Sequence, residues 1–201
     1  MTRRPTRPTV VSLAGLTAAV VLGVAGCSSS GSAPSGSSFP VGDGVVTVIA
    51  PQQRREPVGM AGTTLAGERL DLASLRGRTV VLNVWGSWCA PCRQEAATLE
   101  SAYRQLSGRG VAFVGVDTRD DPAQAKAYLA RYGITYPSVV DTGGLLLSLR
   151  GSVAPNSIPS TLVIDSQGRV AARVSGPITS VRTLVGLVDD VSSGRAGTAS
   201  P

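Results

Sequence analysis

Cys89-Ala90-Pro91-Cys92 lies between an apolar run and a stretch of helical character, and this position restricts the fold more than any other feature. Residues 79–88, Thr-Val-Val-Leu-Asn-Val-Trp-Gly-Ser-Trp, read as a buried strand and the turn after it. Arg93-Gln94-Glu95-Ala96-Ala97-Thr98-Leu99-Glu100 reads as a helix. A strand thus delivers a dithiol onto a helix N-terminus, where free N–H groups and the helix dipole favour a thiolate. A thiolate with a second thiol one helical turn along is the working pair of disulfide exchange.

Two absences narrow the chemistry further. The chain of 201 residues has no histidine, which excludes Ser-His and Cys-His catalysis and imidazole ligation of metal or haem. Only one cysteine, Cys27, stands outside the pair. A zinc site wants four ligands, and no second cysteine pair exists, so the other reading of Cys89 and Cys92 is a structural disulfide. No metal and no cofactor beyond the redox-active disulfide is expected. The net charge of +6 falls to +3 without Arg3, Arg4 and Arg7 of the N-terminal segment, and no nucleic-acid patch is read from it. Aromatics make up only 4% of the chain, so an aliphatic core is expected.

Residues 1–26 read as a signal peptide. A basic n-region precedes uncharged residues 10–26, and Leu22-Gly23-Val24-Ala25-Gly26-Cys27 has the form of a lipobox, with Cys27 as lipid attachment site. The other readings are an uncleaved membrane helix, for which the segment is short against about 20 residues, and simple secretion. All three place the domain outside the cytoplasmic membrane. Residues 27–56 are expected to form a Ser/Gly-rich tether with a short extension, its flexible part giving about 20 Å of slack. The folded domain is expected over 57–191, with 192–201 a polar, disordered tail.

Within the domain, residues 45–49 are strand-like, 63–72 read as a short hairpin, and 91–106 as the helix after the dithiol. Residues 111–117 are a second buried strand. Asp120-Asp121-Pro122 opens a helix carrying Ala125, Leu129 and Tyr132 on one face. Residues 138–141 form a strand, 145–149 a helical turn, 160–174 a hairpin around Ser166-Gln167-Gly168, and 179–191 a closing amphipathic helix. The order β-α-β-α-β followed by β-β-α is mixed α/β: a central mixed sheet flanked by helices, with an N-terminal β-hairpin extension.

The chain resembles the TlpA/ResA-like branch of the thioredoxin superfamily. The resemblance rests on Trp88-Cys89-Ala90-Pro91-Cys92-Arg93-Gln94-Glu95, on Val114-Gly115-Val116-Asp117, on Tyr132-Gly133-Ile134-Thr135-Tyr136-Pro137, and on Ile158-Pro159-Ser160-Thr161 with Gly168-Arg169-Val170. It covers roughly residues 57–191 and implies a thioredoxin-like fold. It also implies a membrane-anchored thiol–disulfide oxidoreductase on the outer face of the cytoplasmic membrane. Such a protein keeps exported cysteine pairs reduced, those of apocytochrome c among them, with electrons from a membrane thiol-transfer protein. The alternatives are an oxidase or isomerase of exported disulfides, a peroxidase-like member (which nothing in the cysteine context matches), and a lipoprotein that only binds a partner.

Cys89, ahead of the helix, is expected to be the more exposed, attacking thiol, and Cys92 the buried resolving thiol. Trp88 is expected as a wall beside the dithiol, or as simple packing. The resemblance makes Pro159 a cis-proline facing the dithiol, with Ile158 offering its backbone to substrate; the other reading is an ordinary trans turn. It also assigns proton movement to Glu95, against a solvated helix charge. Thioredoxins carry a buried Asp where this chain has Asn83. Ala97 replaces a proline that often bends this helix in the family.

Overall fold

The computed structural model describes residues 37–41, 44–149, 151–153 and 157–196. Cys27, the segment expected as a signal peptide and residues 28–36 of the Ser/Gly-rich stretch lie outside the described residues. The elements in chain order are β1 (Ser37–Val41), β2 (Gly44–Val48), β3 (Ala61–Thr63), β4 (Arg69–Asp71), β5 (Thr79–Trp85), α1 (Ala90–Leu106), β6 (Val111–Thr118), α2 (Pro122–Tyr132), β7 (Ser138–Asp141), α3 (Leu145–Ser148), β8 (Ser160–Ile164), β9 (Val170–Ser175) and α4 (Val181–Ser192). Seven strands form one sheet in the order β1-β2-β9-β8-β5-β6-β7, and β3 and β4 form a separate hairpin. β5, β6 and β7 run parallel, while β5–β8, β8–β9, β9–β2 and β2–β1 are antiparallel.

β5 sits centrally and is buried at all seven positions, as its unbroken apolar run requires of a strand covered on both faces. The two faces separate by the period of two. Val81 packs with Leu99 and Leu106 of α1 and with Leu184 and Val188 of α4. Val80, Leu82 and Val84 pack on the other side with Val58, Met60, Leu72 and Leu149. α1 is one unbroken helix across Ala97.

Both expected domain edges move outward. The sheet begins at β1 and β2, inside the stretch expected as tether and short extension, where 45–49 reads as a strand; β2 pairs with β9 (Val46 with Val174) and buries Val46. At the other end, Ala196 is buried rather than part of a free tail, and its carbonyl accepts a hydrogen bond from Arg54 Nη2 at 3.0 Å. The same guanidinium pairs with Asp165 and donates to the Ile49 carbonyl. One residue from the expected polar break therefore ties Ile49 and Ala196 to the β8–β9 turn. On α2 the buried residues are Ala125 and Tyr128, with Leu129 and Tyr132 half-buried. No described helix is long and apolar enough to cross a membrane.

Candidate active site

Where β5 ends, Gly86-Ser87-Trp88-Cys89 carries the chain across to α1. The Trp88 ring folds back over Gly86 so closely that a Cβ there would stand 2.5 Å from its Nε1, so only glycine leaves room. That Nε1 donates to the Thr118 carbonyl at 3.2 Å. The Arg119 guanidinium lies 5.0 Å from the ring centroid, a cation–π distance. Arg119 itself has φ 53°, a left-handed conformation that costs a non-glycine residue on the order of 1 kcal/mol. Trp88 is 47% exposed.

The loop is held from three sides. Asp120 accepts from the Ser87 N–H and from Ser87 Oγ. The Ser87 carbonyl accepts from Arg93 Nη2 at 2.9 Å. The Cys89 N–H donates to the Gly86 carbonyl at 3.1 Å. Cys89 caps α1: its sulfur accepts from the Cys92 N–H at 3.2 Å, which is the helix-end setting that stabilises a thiolate once the pair is reduced. Pro91 occupies the first turn, where its missing N–H leaves no bond unmade.

Cys89 and Cys92 are joined in a disulfide. Their order of exposure is as expected, 3% against 0%, but both are buried. Trp85, Leu65, Ala125 and Tyr128 close around them. The Ile158–Pro159 bond is cis, so the ordinary turn reading falls. β8 begins next to it with Ser160 paired to Val84, and Ile158 packs against the dithiol cluster. Among the described residues, no hydrogen bond engages the Ile158 backbone.

Glu95 lies one turn after Cys92 and is 1% exposed, which overturns the solvated-charge reading. Oε1 accepts from Asn83 Nδ2 at 2.7 Å, and Oε2 accepts from the Ile178 N–H at 3.0 Å. Burial pushes the carboxyl up to about 7, with the Ile178 and Asn83 bonds pulling the other way. Asn83 gives its second N–H to Thr161 Oγ1 at 3.1 Å. The amide thus occupies a position where an acid would face Glu95 as a like charge.

Three residues near the site carry no site role in the sequence reading. The Tyr128 hydroxyl donates to the Cys92 carbonyl at 2.8 Å, and its ring stacks on Trp85 at 4.6 Å. The helical spacing Ala125, Tyr128, Leu129, Tyr132 held that signal. Asp120 reads in the sequence only as part of a helix start, and nothing local shows that it holds Ser87. Asp117, at the end of β6, is buried, and burial together with the Asp120 and Asp141 charges pushes it up to about 7. Among the described residues, no group of three or more Cys, Asp or Glu is placed to hold a metal ion.

Residues 54–173 match the AhpC/TSA family. The chain is 30% identical over 125 residues to the thiol-disulfide oxidoreductase ResA of Bacillus thuringiensis, covering 62% of this chain and 70% of that one. It is 35% identical to the thiol:disulfide interchange protein HelX of Rhodobacter capsulatus over 130 residues, covering 65% and 68% of the two chains. A secreted thiol-disulfide isomerase of Corynebacterium glutamicum has a similar structure, with TM-score 0.66 and 30% identity, over 77% of this chain and 99% of that one.

Proposed function

The chain belongs to the AhpC/TSA family and is a thiol–disulfide oxidoreductase of thioredoxin-like fold, and from that premise we propose that it reduces disulfides of exported proteins outside the cytoplasmic membrane. Apocytochrome c cysteine pairs are the clients that the ResA-like resemblance suggests. The observation that carries the reading is a helix-capping dithiol packed against a cis-proline strand end whose preceding backbone is unpaired.

In the reduced protein, the Cys89 thiolate attacks one sulfur of a client disulfide. A Cys89–client bond forms, the client S–S bond breaks, and its electron pair leaves on the other client sulfur. Cys92, deprotonated, then attacks the Cys89 sulfur and releases the client as a dithiol. The Cys89–Cys92 disulfide that remains is the form of the pair in this structure. Two electrons and two protons return it to the dithiol, supplied by a membrane thiol-transfer protein. Glu95, one turn from Cys92 and titrating near 7, is suited to take and return the Cys92 proton. Ile158 pairs with an extended client backbone in the manner of an added strand, and the exposed Trp88 face forms the adjoining wall.

Residues 1–26 as signal peptide, with lipidated Cys27 and the Ser/Gly-rich segment as tether, place the domain on the outer membrane face in this reading. The similarity to a secreted isomerase favours a second reading, in which the same thiols shuffle disulfides in exported proteins. Cys92→Ser tests the exchange step in cells. It should accumulate a mixed disulfide between Cys89 and the client, separable on non-reducing gels and identifiable by mass spectrometry, whereas Cys89→Ser should give none. Absence of any trapped species with Cys92→Ser would count against a thiol client.

A further inference from the structure

Beside the dithiol loop, between the first turn of α1 and one face of α2, lies a cavity of about 330 Å³ that the exchange steps leave unused. Ser87, Arg93, Gln124, Arg131 and Tyr132 line it, with buried Tyr128 below. Both arginines are exposed. Arg93 donates through Nε and Nη2 to the Ser87 carbonyl, and Arg131 meets the Tyr132 ring at 5.8 Å. Neither forms an ion pair with any described carboxylate. Residues 86–94 and 118–132 hold four exposed cations, Arg93, Arg119, Lys126 and Arg131, against two acids, Asp120 and Asp121. Both acids are engaged: Asp120 holds Ser87, and Asp121 caps α2 through the Ala123 and Gln124 N–H groups.

We propose that this cavity receives an aspartate or glutamate side chain of the client polypeptide, so that the enzyme favours disulfides with an acidic residue a few positions from the cysteine. The inference rests on the oxidoreductase reading and deepens it. Ser87 is two residues from Cys89, so at most about 7 Å of backbone separates the cavity wall from the attacking thiol. An extended client spans that in about two residues. An exposed guanidinium–carboxylate pair is weak by itself and holds a free anion poorly. A carboxylate carried on a docked client arrives at high effective concentration, and there a weak pair becomes a preference between clients.

The test compares two oxidised peptides, identical except for Glu or Gln near the attacked cysteine, by kcat/KM in stopped-flow reduction. The Glu peptide should lead by roughly fivefold at low ionic strength, and the lead should shrink in high salt. Arg131 makes no hydrogen bond to the dithiol loop, so Arg131→Glu should abolish or invert the ratio and Arg131→Lys should restore it. A wild-type ratio near one, or a ratio unchanged in Arg131→Glu, overturns the proposal. Inorganic phosphate slowing both peptides equally would make the cavity a free-anion site and also overturn it. A wild-type protein that reduces neither peptide overturns the oxidoreductase reading, and this inference with it.

Discussion

Burial, joined at Asp117 by the Asp120 and Asp141 charges, raises two carboxyls, Glu95 and Asp117, from ordinary values of 4.5 and 3.8 to about 7. A carboxyl whose folded value lies above its unfolded value binds its proton more tightly in the fold. Its penalty is absent below the unfolded value, grows as pH rises toward 7, and stays constant above. For the deeply buried Glu95 it amounts to on the order of 3 kcal/mol. Unfolding free energy should therefore fall between about pH 5 and 7, by roughly 1.4 kcal/mol per pH unit for each group. Glu95→Gln should halve that slope in urea titrations across the range, while the Asp117 share persists. It should also remove a group titrating near 7 from the pH profile of exchange. The dithiol and Pro159 are legible in the sequence because adjacent residues carry their chemistry. The environment of Glu95 is not, since its partners Asn83 and Ile178 are 12 and 83 residues away. Asp120 holds Ser87 across 33 residues and leaves no local trace.

Elements deliver these groups through close approaches that side chains would block. At Gly115 in β6, an added Cβ would collide with Ser138 Oγ and stand 2.8 Å from Trp85 Nε1. Gly115→Ala should cost about 1–3 kcal/mol by overpacking, read as a lower urea midpoint, and should loosen Trp85 beneath the dithiol loop. Asp121 caps α2 by accepting from the Ala123 and Gln124 N–H groups, so Asp121→Ala should cost about 1 kcal/mol in the same assay. β5, β6 and the β8–β9 hairpin are legible because buried strands read as apolar runs and Gly168 marks the turn. The place of β2 in the sheet is not, because its partner β9 lies near the opposite end of the chain and nothing local distinguishes an added edge from a short extension.

At the scale of the molecule, Arg54 joins the two ends of the domain to the β8–β9 turn through Ile49, Asp165 and Ala196. Its side chain is 4% exposed and that of Asp165 is 7%. Arg54→Ala leaves Arg169 as the one cation paired with Asp165 among the described residues, beside the Gln167 and Arg169 N–H groups, and should cost on the order of 3 kcal/mol in urea unfolding. If the Cys27 reading holds, Cys27→Ser should move the protein from the membrane fraction to the soluble fraction, as immunoblotting of fractionated cells would show. The reductive direction is the central claim, and the reduction potential of the Cys89–Cys92 couple tests it most directly, by equilibration in thiol/disulfide buffers and mass-tagging of free thiols. The account predicts a value near or below about −240 mV, on the thioredoxin side of the scale. A value near about −120 mV, that of a strong periplasmic oxidant, would contradict it.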